Sequence, residues 1–275
     1  MGVTRKDVAR NAGVSTATVS NVINKKDIVS EKLKKKVQRS IEELGYRPNM
    51  VARSLKTKRT MQVALVSNDI TNQFFAEVAL GMEEEARKTG YIVSMINASK
   101  NNNLIEELLA RQYDGIFMAT DQVPVEQINS LARKDLPIVF MSNKNYKDLD
   151  DEICQMRLDF YQGTYQILKR LIHKGHQKIG FILLKVMDNM QQRDYRLEAY
   201  IDVLNKYGID YDPALVYLKG NTLEKIHDAT GELIDKEVTA ILTNDYYALS
   251  VLSAIEKKGL RVPEDISVVG CDNLH

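Results

Sequence analysis

The sequence is poor in the residues that mark secreted, membrane and metal-binding proteins. It has two cysteines, Cys154 and Cys271, so neither a disulfide framework nor a CxxC metal pattern is present. No apolar run approaches the roughly 18 residues of a membrane-spanning helix. The first residues, MGVTRKDVAR, lack the apolar stretch of a signal peptide. These absences predict a cytoplasmic protein with no membrane partner.

Catalytic and metal-binding motifs are scarce too. No Gly-rich phosphate loop, nucleophile elbow or HExxH motif occurs. His173 and His176 are three residues apart, but they stand where a helix ends and a strand follows, and a histidine there can complement the helix C-terminus. The run 83–85 of three glutamates is typical of a solvated helix face. We therefore expect no enzymatic activity, no metal and no cofactor.

Charge is unevenly distributed although the net charge is only +1. Residues 1–60 hold 15 basic and 5 acidic residues, a charge of +10, whereas the other 215 hold 23 basic and 32 acidic residues, a charge of −9. A basic segment joined to an acidic body is typical of nucleic-acid binding. A solvated basic tail is the alternative reading of charge alone.

Residues 1–46 contain the signals for three short helices. Thr4, Ser15 and Ser30 stand at N-cap positions, and Gly13 and Gly45 end the first and third helices. The apolar residues at helical spacing, expected to face inward, are Val8, Ala9, Ala12, Val19, Val22, Ile23, Leu33, Val37, Ile41 and Leu44. Two short helices joined by a tight turn form a helix-turn-helix, whose second helix enters the major groove of DNA.

The second helix has a polar face. Its residues Thr16, Ala17, Thr18, Ser20 and Asn21 lie away from the apolar positions or near the helix start, where they can reach base edges and phosphates. A plain three-helix bundle with a polar surface is the alternative. The basic run 32–36 adds at most a general attraction to phosphates.

The segments TRKDVARNAGVSTATVSNVIN and VSEKLKKKVQRSIEELGYRPN resemble the head of the lactose/galactose repressor (LacI/GalR) family. The resemblance implies that Thr16, Ala17 and Asn21 read operator DNA. The full expected DNA-binding set adds Thr4, Ser15, Thr18, Ser20, Asn24, Tyr46, Asn49, Ala52, Arg53 and Leu55. Asn21 stands where arginine is common in the family, which leaves the preferred operator open.

Residues 47–60, RPNMVARSLKTKRT, are too short and too polar to form a stable helix alone. Composition by itself favours a flexible linker. The resemblance implies instead a hinge helix that folds on the operator, pairs with a second copy in the minor groove and wedges Leu55 into a base step. Such wedges unstack and kink DNA. We therefore expect a homodimer on pseudo-palindromic double-stranded DNA.

From Met61 onward, short apolar runs alternate with helical stretches. Strands are expected at 63–66, 92–96, 115–119, 138–141, 178–183, 240–243 and 266–270, with helices that include 76–88, 161–173, 196–207 and 248–258. This alternation predicts an α/β core of parallel sheets. A break near 144–160 suggests two lobes, 61–158 and 159–275.

Ligands of such sheets bind beyond the carboxyl ends of the strands. The residues that follow the expected strands are Asp69, Asn72, Phe74, Phe75, Asp121, Gln122, Ser142, Asn143, Arg193, Arg196, Asn244, Asp245, Asp272 and Asn273. Aromatic faces beside planar polar groups suit a sugar ring or a nucleobase. Each residue alone could be an ordinary polar loop residue, so the prediction depends on the set.

The stretches DITNQFFAEVALGMEEEARKTGY, LIHKGHQKIGFI, RDYRLEAY and AILTNDYYALSVLSAIEKKGLRVPEDISVVGCDN resemble the core of the same family, which is similar to periplasmic sugar-binding proteins. The expected effector-binding residues are Asp69, Phe74, Phe75, Arg193, Arg196, Asn244 and Asp272. Gln73, Ser142 and Ala199 replace the proline, aspartate and glycine usual in the family, which leaves the effector open.

Together these patterns favour a repressor whose operator affinity is controlled by a sugar or nucleobase. A solute-binding transport protein fits the core but not the basic head, and an α/β hydrolase lacks a catalytic set. The resemblance also implies that roughly 55–65 further residues complete the core in the family, so that sheet edges would stay unpaired without them. The core is therefore expected to be C-terminally incomplete.

Overall fold

The computed structural model describes residues 2–24, 27–99, 101–132, 136–143, 146–183, 194–218 and 222–272. Contacts divide the chain into two units, Met1–Thr60 and Met61–His275. Among the described residues, no helix is long and apolar enough to cross a membrane.

The first unit begins with three helices, α1 (Arg5–Ala12), α2 (Thr16–Ile23) and α3 (Glu31–Leu44). Thr4 and Asp7 form a reciprocal capping box at α1, and the Ser15 side chain accepts a hydrogen bond from the Thr18 amide at α2. Gly13 and Gly45 end α1 and α3 in the left-handed conformation, with φ of 56° and 60°.

The three helices share a small apolar core. Val8, Val19 and Val37, one from each helix, are fully buried. The Ser40 hydroxyl, also buried, donates a hydrogen bond of 3.2 Å to the carbonyl of Val8 and so joins α3 to α1. Leu33 was expected to face inward but is 37% exposed, because the inward face of α3 starts one turn later, at Val37.

Helix α4 (Met50–Thr57) completes this unit. Its N-cap is Asn49, whose side chain accepts a hydrogen bond of 3.1 Å from the Ala52 amide. No residue of α4 is buried, and Leu55 is 80% exposed. The flexible linker that composition alone favours is therefore not what forms here, and a local cap is one contribution that composition does not capture.

The second unit contains a five-stranded and a four-stranded sheet. The elements of the first are β1 (Gln62–Ser67), α5 (Gln73–Thr89), β2 (Ile92–Asn97), α6 (Leu104–Arg111), β3 (Gly115–Ala119), α7 (Val125–Ala132), β4 (Ile138–Ser142) and β5 (Cys154–Arg157). The strand order is β2-β1-β3-β4-β5, with every pairing parallel. Since successive strand residues point to opposite faces, Ala64 and Val66 pack in the cluster with α6 and α7, while Leu65 packs with α5.

The second sheet follows along the chain. Its elements are α8 (Phe160–His173), β6 (Ile179–Ile182), α9 (Tyr195–Lys206), a 3₁₀ turn (Pro213–Leu215), β7 (Val216–Tyr217), α10 (Leu223–Asp235), β8 (Ala240–Leu242), α11 (Asp245–Lys257) and β9 (Ser267–Val269). The order β7-β6-β8-β9 is again parallel throughout. Inside it, the Tyr200 hydroxyl donates a buried hydrogen bond of 2.7 Å to the carbonyl of Ile179.

All seven strands expected from sequence are present, with ends shifted by one residue at most. Two strands were missed, and each has a physical reason. The four residues of β5 are exposed and contain no apolar run, so this edge strand has no hydrophobic signal. β7 is only two residues long.

Candidate functional site

A cleft of about 350 Å³ opens at the carboxyl ends of strands from both sheets of the second unit. Its lining residues are Asn68, Asp69, Asn72, Phe74, Phe75, Ala119, Thr120, Asp121, Gln122, Met141, Ser142, Asn143, Leu158, Phe160, Arg196, Asn244 and Asp272. These residues end or follow β1, β3, β4, β5, β8 and β9 or begin α5, α8 and α9. The topology of two parallel sheets therefore brings distant parts of the chain to one place.

Arg196 is held firmly at this cleft. Its Nε and Nη2 lie 3.2 Å and 3.1 Å from the two carboxylate oxygens of Asp194, and its side chain is only 19% exposed. The guanidinium carbon also stands 5.6 Å from the centre of the Phe160 ring. The ion pair and the nearby aromatic ring restrict the direction in which the guanidinium can donate.

The helices α5, α9 and α11 begin at the cleft with side-chain caps. Asn72 accepts from the Phe74 amide at α5 (3.0 Å), Asp194 from the Arg196 amide at α9 (2.9 Å), and Asn244 from the Tyr247 amide at α11 (2.9 Å). Each cap satisfies an amide that would otherwise be free at the helix start. The capping side chains of Asn72 and Asn244 also line the cleft.

Aromatic rings form the apolar part of the lining. Phe74 and Phe75, at the start of α5, meet edge to face with ring centres 5.3 Å apart. Both are half-buried, and both pack on the cluster that contains Leu65 and Met141. Phe160 adds a third ring from the start of α8. Rings with one face on the core and one toward a cleft suit flat or cyclic ligands.

Asp272 stands at the rim with a strained backbone, φ 105°, which is rare for a residue other than glycine. Partial burial raises the pKa of its carboxyl group, the nearby Asp245 carboxylate raises it further, and Arg196 offsets part of the shift. The side chain still retains access to solvent. The carboxylate therefore stands where a ligand in the cleft can reach it.

Gly270, directly after β9, lies close to Asp245 at the start of α11. A Cβ atom at this position would collide with the Asp245 carboxylate. The Asp245 amide donates a hydrogen bond of 2.9 Å to the carbonyl of Cys271. A residue without a side chain at 270 therefore leaves room for the Asp245 carboxylate, beside a cleft that Asn244 and Asp272 both line.

Six of the seven residues expected to bind an effector line this cleft, namely Asp69, Phe74, Phe75, Arg196, Asn244 and Asp272. Arg193 lies outside the described residues. The main omission was Phe160, which follows the unpredicted edge strand β5. The available signal was an aromatic residue at the end of the expected break between the lobes.

The residues expected to bind DNA occupy varied positions in the first unit. Thr16, Ala17 and Asn24 are exposed and Thr18, Ser20 and Asn21 are half-buried on α2, while Thr4 and Ser15 are exposed caps. On and before α4, Asn49, Ala52, Arg53 and Leu55 are all exposed. Tyr46 is different, because it packs in the three-helix core with 7% exposure.

The two histidines considered as metal ligands have other partners. His173 Nε2 lies 2.9 Å from the Tyr207 hydroxyl, and His176 Nδ1 lies 2.9 Å from the Thr239 hydroxyl. Burial, with a smaller effect of Lys174, lowers the pKa of His176. Glu83 pairs with Arg87 on the exposed face of α5, as a solvated helix face would.

Comparisons with known proteins fit both units. Residues 4–49 match the sequence profile of bacterial regulatory proteins, lacI family, and residues 60–275 that of periplasmic binding proteins and sugar binding domain of LacI family. The HTH-type transcriptional regulator RegA of Clostridium saccharobutylicum is 34% identical over 277 residues, which cover 98% of this chain and 82% of RegA.

Two solved structures of transcription regulators also resemble this chain over nearly its whole length. The lac repressor dimer bound to operator and the anti-inducer ONPF aligns with a TM-score of 0.75 at 26% identity, covering 98% of this chain and 82% of the repressor chain. The transcriptional regulator CelR-cellobiose complex aligns with a TM-score of 0.61 at 30% identity, covering 98% and 83%.

Head, sheets and cleft together define a DNA-binding transcription regulator with a ligand-binding core. The chain belongs to the LacI family. The α/β fold expected from sequence, with an all-α head and a periplasmic-binding-protein-like core, is thereby confirmed.

Proposed function

We propose that this protein is a repressor that binds a pseudo-palindromic operator as a homodimer and changes its operator affinity when a sugar or nucleobase enters the cleft. The observation that carries the proposal is the cleft itself, where six of the expected effector residues converge in one unit while the head has its own core. CelR, a relative by structure, holds cellobiose. Such a regulator works in the cytoplasm, where its DNA is.

Successive segments of the chain have separate roles in this proposal. Residues 1–46 recognise the operator, 47–60 form the hinge, and 61–158 and 159–275 form the two lobes around the effector. In the head, Thr16, Ala17 and Asn21 read base edges from α2. The supporting contacts come from Thr4, Ser15, Thr18, Ser20, Asn24, Tyr46, Asn49, Ala52 and Arg53, with Tyr46 acting through the packing of the head because it is buried.

Leu55 is the wedge of the hinge. At 80% exposure its side chain has little packing to lose and can be buried in a base step. Arg53 and Lys56 on the same helix supply positive charge toward phosphates. Both features support a minor-groove role for α4.

The effector is held from both sheets. Phe74 and Phe75 contact its flat face, while Asp69, Arg196, Asn244 and Asp272 hydrogen-bond to its polar edge. Arg193 completes the proposed set. Because these residues belong to separate strands and helices, occupancy of the cleft changes the relative stability of arrangements of the two sheets.

Fluorescence anisotropy with DNA from upstream of the protein's own gene tests the DNA-binding role. Asn21→Ala on α2 should lower affinity for the specific site by about 1–3 kcal/mol. Asn11→Ala on α1, whose amide donates to Glu43 at 3.2 Å, is the matched control and should leave the ratio of specific to non-specific affinity unchanged. Equal binding to any DNA of the same length contradicts the proposal.

A further inference from the structure

The charges of the cleft restrict what can enter it. Among the described residues that line it, Asp69, Asp121 and Asp272 carry carboxylates and Arg196 is the single cation. The Asp245 carboxylate adds negative potential, since it raises the pKa of Asp272. An anionic ligand would therefore approach more negative than positive charge.

Arg196, the cation among the described lining residues, is also already paired. Both carboxylate oxygens of Asp194 lie within 3.2 Å of the Arg196 guanidinium, so the pair is close to neutral as a unit. A phosphate group that took Arg196 as its partner would face the Asp194 carboxylate at short range. Like charges placed together in this way oppose binding.

Helix N-termini, the other common phosphate sites, are closed here by the chain's own side chains. The caps Asn72, Asp194 and Asn244 each occupy an amide of the first turn at α5, α9 and α11. Two of these three helix starts also carry a carboxylate, Asp194 at α9 and Asp245 at α11. These carboxylates already interact with the positive end of the helix dipole, which would otherwise attract an anion. These starts differ from the open amide cradles that bind phosphate.

The remaining chemistry of the lining suits hydroxyl groups. Carboxylates accept hydrogen bonds from hydroxyls, and the amides of Gln122, Asn143 and Asn244 can both donate and accept. The faces of Phe74 and Phe75 suit the apolar side of a ring. From these features we infer that the effector is an uncharged, hydroxyl-rich compound, such as an unphosphorylated sugar or nucleoside, and that phosphorylated forms are rejected. This inference rests on the proposed effector site.

Calorimetry on the full chain with matched pairs tests it: glucose and glucose 6-phosphate, ribose and ribose 5-phosphate, adenosine and adenosine monophosphate. Inorganic phosphate alone is the further probe. In each pair that binds, the phosphate should weaken affinity by about tenfold or more. Inorganic phosphate should give no saturable binding.

Asp69→Asn tests the cause. The Asp69 Oδ1 accepts from the amide and hydroxyl of Thr71 at 2.9 Å and 2.6 Å, and an asparagine oxygen can keep both bonds while the charge is lost. In this variant, the ratio between the affinities for the unphosphorylated and the phosphorylated member of a pair should become smaller. Glu126→Gln, an exposed acid of α7, is the matched control and should leave it unchanged.

A phosphorylated compound that binds as tightly as its partner overturns the inference, as does saturable phosphate binding that Arg196→Ala removes. If such a compound also alters operator affinity, the proposed function stands while the inferred effector class fails. If neither the pairs nor phosphate bind, the inferred effector class fails, and the proposed function is judged separately by specific DNA binding in the anisotropy experiment.

Discussion

Replacing Leu55 with alanine separates an action on DNA from a role in folding. No residue of α4 is buried and Leu55 is 80% exposed, so truncation removes almost no packing from the chain. Folding stability should change by less than about 0.5 kcal/mol. The change removes three carbon groups, and each contributes about 0.8 kcal/mol when it is buried. Because 80% of the Leu55 surface is available for burial in DNA, the free energy of operator binding should weaken by about 1.9 kcal/mol. That loss is about 25-fold.

Anisotropy at one fixed salt concentration measures this on a specific duplex and on a scrambled duplex of equal length. Only the specific affinity should fall, because the wedge acts on a bent site. Ile28→Ala is the matched control, since Ile28 is 77% exposed in the same unit but lies outside α4. Thermal unfolding of both variants checks that the head remains folded.

Two results would refute this reasoning. If specific and non-specific affinity fall by the same factor, Leu55 supports the hinge helix without entering DNA. If operator affinity is unchanged, the exposed leucine has no part in the complex, and α4 contributes through its basic residues alone.

The remaining predictions concern salt, the cleft and the core. Operator affinity should fall steeply as salt rises, because bound phosphates release counterions, and a flat response contradicts this. Arg196→Ala should abolish the effector response and spare effector-free DNA binding; unchanged effector affinity by calorimetry contradicts the site. Burial and Asp245 raise the pKa of Asp272 above 3.8, so its charge is unfavourable to folding at neutral pH, and this cost is relieved as the pH falls through the raised pKa. Asp272→Asn should therefore raise the Tm of the effector-free core and weaken effector binding. In the natural chain, effector affinity should fall as the pH is lowered. An effector affinity that does not depend on pH contradicts the placement of Asp272 in the effector site. Tyr200→Phe leaves the Ile179 carbonyl buried without its partner and should cost about 1–3 kcal/mol of stability, measured by denaturant unfolding, whereas a neutral change would show that water replaces the hydroxyl.

The fold was predictable wherever a local rule applied. The cap pairs at Thr4 and Ser15, the glycine stops at Gly13 and Gly45, and the apolar runs of the buried strands are all short-range signals. Edge strand β5 escaped because its four residues are exposed, and exposed edges need no hydrophobic pattern. The prediction that Leu33 faces inward was wrong. Helical spacing identifies the apolar face of a helix, but it does not show how far along the helix that face is covered by neighbouring helices.

The residues that line the cleft were largely predictable from the ends of the strands, but their arrangement in space was not. The rule that ligands bind beyond the carboxyl ends of parallel strands selected Asp69, Asn244 and Asp272. It could not show that Asp194 neutralises Arg196, nor that Phe160 lies against the guanidinium, because both depend on how α8 and α9 pack.

The sequence by itself determined the basic head, the three capped helices and the βαβ order, since each depends on neighbours a few residues apart. Tertiary structure alone decided that Tyr46 is buried and that Gly270 brings Asp245 against the end of β9. It also decided that Asp69 and Asp272, at opposite ends of the core sequence, line one cleft. The physical reason is range: caps and periodicity act within a turn or a strand, whereas the charge balance of a binding site is set by groups that only the packing of two sheets brings together.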